Sequence, residues 1–218
     1  MAKKSKRIDT KIKRKKWFAV LSPKSFGEQE IGETPADDEK GILGRKIKMN
    51  AMGITGDPKK QAYSLTFEVT STTESTAVTQ CIGFEMNPSN VKRIVRRNRS
   101  RIDDSFRCET GDKREIRIKP FVITRFNTSK SVATAIRKLV SAELNKAVAT
   151  SSFDNLVKDV ITGKVQMKIR DKAKKVYPIQ ILEIRKILLL SSAKEMGVEE
   201  APAEIAPLEP EDANQATG

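Results

Sequence analysis

Side chains suited to chemistry are scarce in this sequence. There is no histidine. That removes imidazole general bases, Ser-His-Asp and Cys-His nucleophile activation, and every His-dependent zinc site. Two cysteines, Cys81 and Cys108, cannot complete a structural zinc site by themselves. The basic N-terminus is followed by no apolar stretch of the signal-peptide kind. A reducing, cytoplasmic setting with two small buried thiols is therefore expected rather than a disulfide. Apolar runs such as Ile187 to Leu190 are far too short to span a bilayer, so no membrane partner is expected.

The motif candidates fail on spacing. Gly163-Lys164 resembles the end of a phosphate-binding loop, but position 158 is Lys and Val165 stands where the loop needs Ser or Thr. The glycine turn and the magnesium-binding hydroxyl are both missing. Ser89 to Lys92 matches S-x-x-K, but S-D-N and K-T-G occur nowhere. The carboxylate pairs Asp37-Asp38-Glu39 and Asp103-Asp104 suit either magnesium or nearby arginines, and ion pairing or a solvated loop is the expected role. No enzyme, cofactor, metal site or small-molecule substrate is expected.

The positive signal is charge. Lys and Arg outnumber Asp and Glu by 42 to 28, a formal net charge of +14. Residues 195–218 hold seven acids and no Lys or Arg, so residues 1–194 carry 42 minus 21, or +21. A basic body with an acidic tail points to a polyanionic partner. The charge gathers in three segments. The first is Lys3, Lys4, Lys6, Arg7, Lys11, Lys13, Arg14, Lys15 and Lys16, followed by Trp17, the only tryptophan. The second is Lys92, Arg93, Arg96, Arg97, Arg99 and Arg101. The third is Lys164, Lys168, Lys172 and Lys175, at helical spacing. One basic helix face is usually only solvated. Three such segments suit RNA phosphates, whose neutralisation releases counterions, with arginine adding forked contacts and stacking.

Stepping outward, residues 1–16 are expected to be a disordered basic arm and residues 191–218 a disordered acidic tail, because neither buries enough apolar surface to offset its ordering entropy. Residues 17–190 are expected to form one α+β domain. Residues 22–44, rich in Gly, Pro and acids, suggest loop. Trp17–Leu21 is the first apolar stretch, and strand character marks Arg45–Met49, Tyr63–Val69, Val78–Phe84, Ile102–Glu109 and Arg114–Thr124; in the last, Ile116 and Ile118 alternate with Arg117 and Lys119. Asn87-Pro88 reads as an N-cap and first helical residue. Helices are predicted over 130–148, over 152–163 with Ser151 or Ser152 as cap and Gly163 as stop, and from Lys164 to before Pro178. A closing strand follows, carrying Ile179, Ile181, Ile184, Ile187 and Leu189. The layout implies an antiparallel sheet that could curl into a barrel, with a C-terminal group of helices.

Several stretches are similar to one archaeal and eukaryotic small-subunit ribosomal protein family, called S3Ae or S1e. They are KRKKW at 13–17, IGETPADDEKGILGR at 31–45, VKRIVRRNRSRIDD at 91–104, AIRKLVSAEL at 135–144, VITGKVQ at 160–166 and AKKVYPIQILEIRK at 173–186. They occur in the family's order and cover about residues 13–190. The resemblance, in its archaeal form, implies an rRNA-binding constituent of the small ribosomal subunit, on the platform near the mRNA exit. Its partners would be rRNA, neighbouring ribosomal proteins and mRNA at the exit, and it would catalyse nothing. The stretch KIKMNAMGITGD at 46–57 departs from the acids usual there, which puts one local ion pair in doubt. A translation factor or RNA chaperone that only visits ribosomes is the alternative.

Overall fold

The computed structural model describes residues 15–73 and 75–190. The predicted arm up to Arg14 and the predicted tail from Ser191 lie outside the described residues. In chain order come β1 (Lys16–Leu21), β2 (Glu30–Ala36), β3 (Lys46–Asn50), α1 (Ala51–Thr55), β4 (Tyr63–Thr72), β5 (Thr76–Met86) and α2 (Pro88–Ile94). Then follow β6 (Arg101–Asp103), β7 (Phe106–Glu109), β8 (Glu115–Thr124), α3 (Lys130–Thr150), α4 (Phe153–Thr162), α5 (Lys164–Ala173) and β9 (Ile179–Leu189).

The fold is α+β, as expected, but its sheet is open rather than a barrel. The main path runs β2-β1-β5-β9-β8-β6, with β4 and then β3 branching from β5, and β7 beside β6 on β8. β5 is the fork: Thr76–Val78 pair in parallel with β1, and Gly83–Glu85 pair antiparallel with β9. Every other ladder is antiparallel. β9 therefore sits inside the sheet between β5 and β8 and closes no edge.

One face of the sheet packs on α3, α4 and α5. The periodicity that predicted these helices is their buried stripe: Ile136, Val140, Leu144 and Val148 on α3, Phe153, Leu156, Val157, Val160 and Ile161 on α4, and Val165, Ile169 and Ala173 on α5. They meet Ile116, Ile118 and Val122 of β8 and Leu182, Ile184 and Ile187 of β9 in the largest core cluster. Each large side chain so buried contributes roughly 1.5–3 kcal/mol. Gly163 has φ of 85°, the left-handed turn that separates α4 from α5.

Five local expectations need correction. Residues 22–44 hold β2, which pairs with β1 from Lys16↔Ala36 to Leu21↔Glu30. As an edge strand it buries little, so it lacks alternation, and its Gly32 and Pro35 suit an edge. Arg45 pins it, donating from Nη1 to the Thr34 hydroxyl at 2.8 Å and the Pro35 carbonyl at 2.9 Å. The strand predicted over Ile102–Glu109 is broken at Asp104-Ser105. Asp103↔Phe121 and Phe106↔Ile118 keep one register, and the gap faces Lys119 and Pro120, which has no N–H for the ladder. Val78, Gln80, Ile82 and Phe84 do not share a face: the register shifts near Ile82, so Ala77, Thr79 and Cys81 point inward before it and Phe84 after it, leaving Val78 exposed. Pro88 begins α2, but the Asn87 side chain turns away, donating to the Gln61 carbonyl at 3.1 Å and accepting from the Ser64 hydroxyl at 2.8 Å. Ser152 stands at the N-cap of α4, its carbonyl accepting the Leu156 N–H at 2.9 Å, but its side chain makes no capping bond. The Asp112 carboxylate, from the β7–β8 turn, accepts the Phe153 N–H at 3.1 Å.

Candidate nucleic-acid interface

The basic segments are laid out unequally. Lys3, Lys4, Lys6, Arg7, Lys11, Lys13 and Arg14 lie outside the described residues. Lys15, Lys16 and Trp17 are exposed at the start of β1, with Trp17 opposite Pro35 of the edge strand. The root of the arm is thus on the β1–β2 side, with β5 and β9 between it and β8.

The arginine segment begins on α2. Lys92 and Arg93 are exposed there, and Arg93 donates to the Asn90 side-chain oxygen at 2.8 Å. The helix ends at Ile94 and the chain turns through Asn98, whose φ of 60° is a conformation asparagine tolerates. Arg96 and Arg97 stand exposed on this turn, and neither has an ion-pair partner among the described residues. Arg99 and Arg101 are committed to partners within the chain. Arg99 hydrogen-bonds the Gln180 side chain, and Arg101 pairs with Asp103 at 2.5 Å while lying 5.3 Å from the Phe121 ring centroid. Asp103 also faces Arg185 at 3.9 Å, so this acid works in an ion-pair network.

The lysines of α5 divide in the same way. Lys164 faces Asp159 at 3.8 Å, and Lys172 pairs with Glu143 of α3 at 2.5 Å. The Lys172 hydrogen bond, aided by the Lys146 charge, holds the Glu143 carboxyl below its ordinary range. Lys168 and Lys175 are exposed and have no carboxylate partner among the described residues.

A hydrogen-bonded junction joins the arginine turn to the end of α5. Thr124, the last residue of β8, is fully buried. Its hydroxyl lies 3.1 Å from the Ser100 N–H and 2.6 Å from the Phe126 carbonyl, and its N–H donates to the Ser100 carbonyl at 3.1 Å. The Ser100 hydroxyl accepts the Thr128 N–H at 2.9 Å. On the other side, the Arg125 N–H donates to the Pro178 carbonyl at 3.0 Å, and the Tyr177 hydroxyl donates to the Asn127 carbonyl at 3.1 Å. Three chain segments, 95–100, 124–128 and 174–178, are therefore one structural unit at one end of the sheet. It carries Arg96, Arg97, Arg125, Lys174 and Lys175, with exposed Phe126 and Val176 among them.

Sequence reasoning missed Arg125, Phe126 and Lys174. Arg125-Phe126 is a cation beside an aromatic just past a strand, a signal visible in the sequence but too short to stand out. It also missed the sheet face turned away from the helices. There Arg107 faces Arg117 and Lys119 faces Lys186 across the ladders. Glu115 lies 3.6 Å from Arg107 and Glu85 lies 3.8 Å from Lys186. Arg117 and Lys119 have no carboxylate partner among the described residues. Opposed like charges weaken a sheet unless an anion covers them.

The remaining reactive groups are quiet. Burial pushes the Cys81 thiol up to about 12 and the Cys108 thiol up to about 11. Neither is a thiolate at neutral pH, so neither is a ready nucleophile. Cys81 is fully buried as expected, whereas Cys108 is only half-buried. No described helix is long and apolar enough to cross a membrane.

The model of the ribosomal S3Ae family matches residues 3–193. The chain belongs to that family. Among similar S3Ae-family proteins, the small ribosomal subunit protein eS1 of Methanothermobacter thermautotrophicus is 35% identical, over 85% of this chain and 95% of its own length. The eS1 proteins of Saccharolobus solfataricus and Saccharolobus islandicus are 32% and 30% identical, each over 90% of this chain and 95% of their own length. These relatives are archaeal, in line with the resemblance seen in the sequence. The S3Ae family is a family of ribosomal proteins, not a class of enzymes.

Proposed function

We propose that this S3Ae-family protein is a structural constituent of the small ribosomal subunit in the cytoplasm, holding rRNA by its basic surfaces on the platform near the mRNA exit. The carrying observation is the junction at Thr124. It fixes Arg96, Arg97, Arg125, Lys174 and Lys175 on one end of the sheet, and Arg96, Arg97 and Lys175 have no carboxylate partner among the described residues. Cations held without carboxylates are suited to phosphates, whose condensed counterions are released on contact. Lys92, Arg93 and Lys168 add charge on the elements next to this unit, the basic arm would supply a separate contact from its root on the β1–β2 side, and the opposed cations of the sheet face offer a further contact for rRNA or for a neighbouring ribosomal protein. Residues 17–190 act as one domain in this reading, and no reaction is assigned to it.

The test is to wash small subunits at rising salt and measure this chain against a core protein. The reading predicts near one copy per subunit until high salt. Early loss, or a copy number far below one throughout, would favour a factor that visits the ribosome.

A further inference from the structure

Phe126 is an aromatic ring left largely in solvent. It is 58% exposed, yet its carbonyl and the chain on both sides of it are hydrogen-bonded. The Thr124 hydroxyl lies 2.6 Å from its carbonyl, the preceding N–H of Arg125 is bonded to Pro178, and two residues on the Thr128 N–H is bonded to Ser100. The Arg125 guanidinium lies 5.8 Å from the ring centroid, within cation–π range. The flanking segments carry Arg96 and Arg97 on one side and Lys174 and Lys175 on the other. Among the described residues, Lys174 alone of these four has a carboxylate partner, Asp171 at 3.2 Å.

We infer that Phe126, backed by Arg125, is a stacking platform for one unpaired nucleobase of the bound RNA. The inference rests on the RNA-binding reading and narrows it from phosphate contact to recognition of a base outside a duplex. An apolar protein partner would have to desolvate the surrounding cations without pairing them, which is unfavourable. A nucleotide satisfies both requirements at once: its base lies on the ring and guanidinium, and its phosphates meet Arg96, Arg97 and Lys175. Bases locked in a helix cannot reach the ring, so the site selects loops, bulges and ends.

The test uses the full chain and two blunt-ended RNA hairpins of equal length, each closed by a polyether linker in place of a nucleotide loop, one fully paired in its stem and one with a single bulged purine. Phe126→Ala should lose affinity for the bulged hairpin on the order of tenfold and leave the paired one unchanged. Phe126→Trp should keep the preference, and Phe126→Leu should lose it, since leucine is apolar but has no flat π face. All three variants should unfold at the wild-type temperature because the side chain is exposed. Equal affinity of Phe126→Ala and wild type for the bulged hairpin would overturn the inference. So would an equal loss on both hairpins, or full function of Phe126→Leu. If the wild type binds neither hairpin in a salt-dependent way, the RNA-binding reading itself fails, an outcome separate from these.

Discussion

Replacing Thr124 by Val should damage both stability and RNA binding, because its buried hydroxyl bonds both the Ser100 and the Phe126 segments of the junction. Valine keeps the shape, so the buried site has no cavity to fill. What is lost is the partner of the Ser100 N–H at 3.1 Å and of the Phe126 carbonyl at 2.6 Å. A buried polar group left without a partner costs about 1–3 kcal/mol. Ser100 is half-buried and Phe126 is exposed, so water recovers part of that. The expected net cost is about 2 kcal/mol, or a fall of roughly 4–8 °C in Tm for a domain of this size. Under native conditions the variant should also bind RNA more weakly, since the turn carrying Arg96 and Arg97 is then held to the loop carrying Arg125 only by the remaining Ser100 bonds to the Thr124 and Thr128 N–H groups. Urea unfolding gives the first quantity and RNA titration the second. Thr134→Val is the control: that hydroxyl donates to the Lys130 carbonyl on the exposed face of α3 and should matter by less than about 0.5 kcal/mol. If Thr124→Val behaves like the control in both assays, the junction is not what organises this end of the sheet.

Three other outcomes follow from the geometry. Burial raises the Glu183 carboxyl, against opposing hydrogen bonds from Gln166 and Tyr63. The folded state then holds the proton more tightly than the unfolded state, so this group's contribution to stability falls as pH rises from its ordinary 4.5 through the raised value. Glu183→Gln should remove that slope, so urea midpoints of variant and wild type should diverge with rising pH, in favour of the variant; parallel curves would refute this. Asp112→Ala should cost about 1 kcal/mol by uncapping α4, and Ser152→Ala should cost little; thermal unfolding with the reverse order would contradict the assignment. Gly163→Ala should cost about 1–2 kcal/mol from its left-handed φ alone, since the space around it is open, and chemical denaturation would reveal it.

Much of the fold was legible because burial leaves a period. α3, α4 and α5 announced themselves through stripes such as Phe153, Leu156, Val157, Val160 and Ile161, which are the residues that meet the sheet. β8 did so through Ile116 and Ile118. Where burial is slight or its side switches, the signal vanishes. β2 buries only Ala36 and has no alternation to read, and the irregularity near Ile82 reverses the inward face of β5 partway along. Strand order was not legible at all: nothing local in Ile179–Leu189 says that it inserts between β5 and β8. The same divide holds for the candidate interface. Composition and spacing marked the cations. They could not show that Arg99 and Lys172 are taken up by internal partners, nor that residues 124–128 and 174–178 join the arginine turn. Those facts depend on contacts between residues far apart in the chain, such as Thr124 with Ser100 and Arg125 with Pro178.

The most direct measurement is the salt dependence of RNA affinity for the full chain, taken as the slope of log K against log salt concentration. Arg96→Gln, Arg97→Gln and Lys175→Gln combined remove three unpaired cations from the junction. The slope should become shallower by about 3. Lys24→Gln with Lys40→Gln, on the β1–β2 side, should leave it unchanged. A triple variant with the wild-type slope, or a control that changes as much, would contradict the claim that this end of the sheet is where RNA phosphates are held.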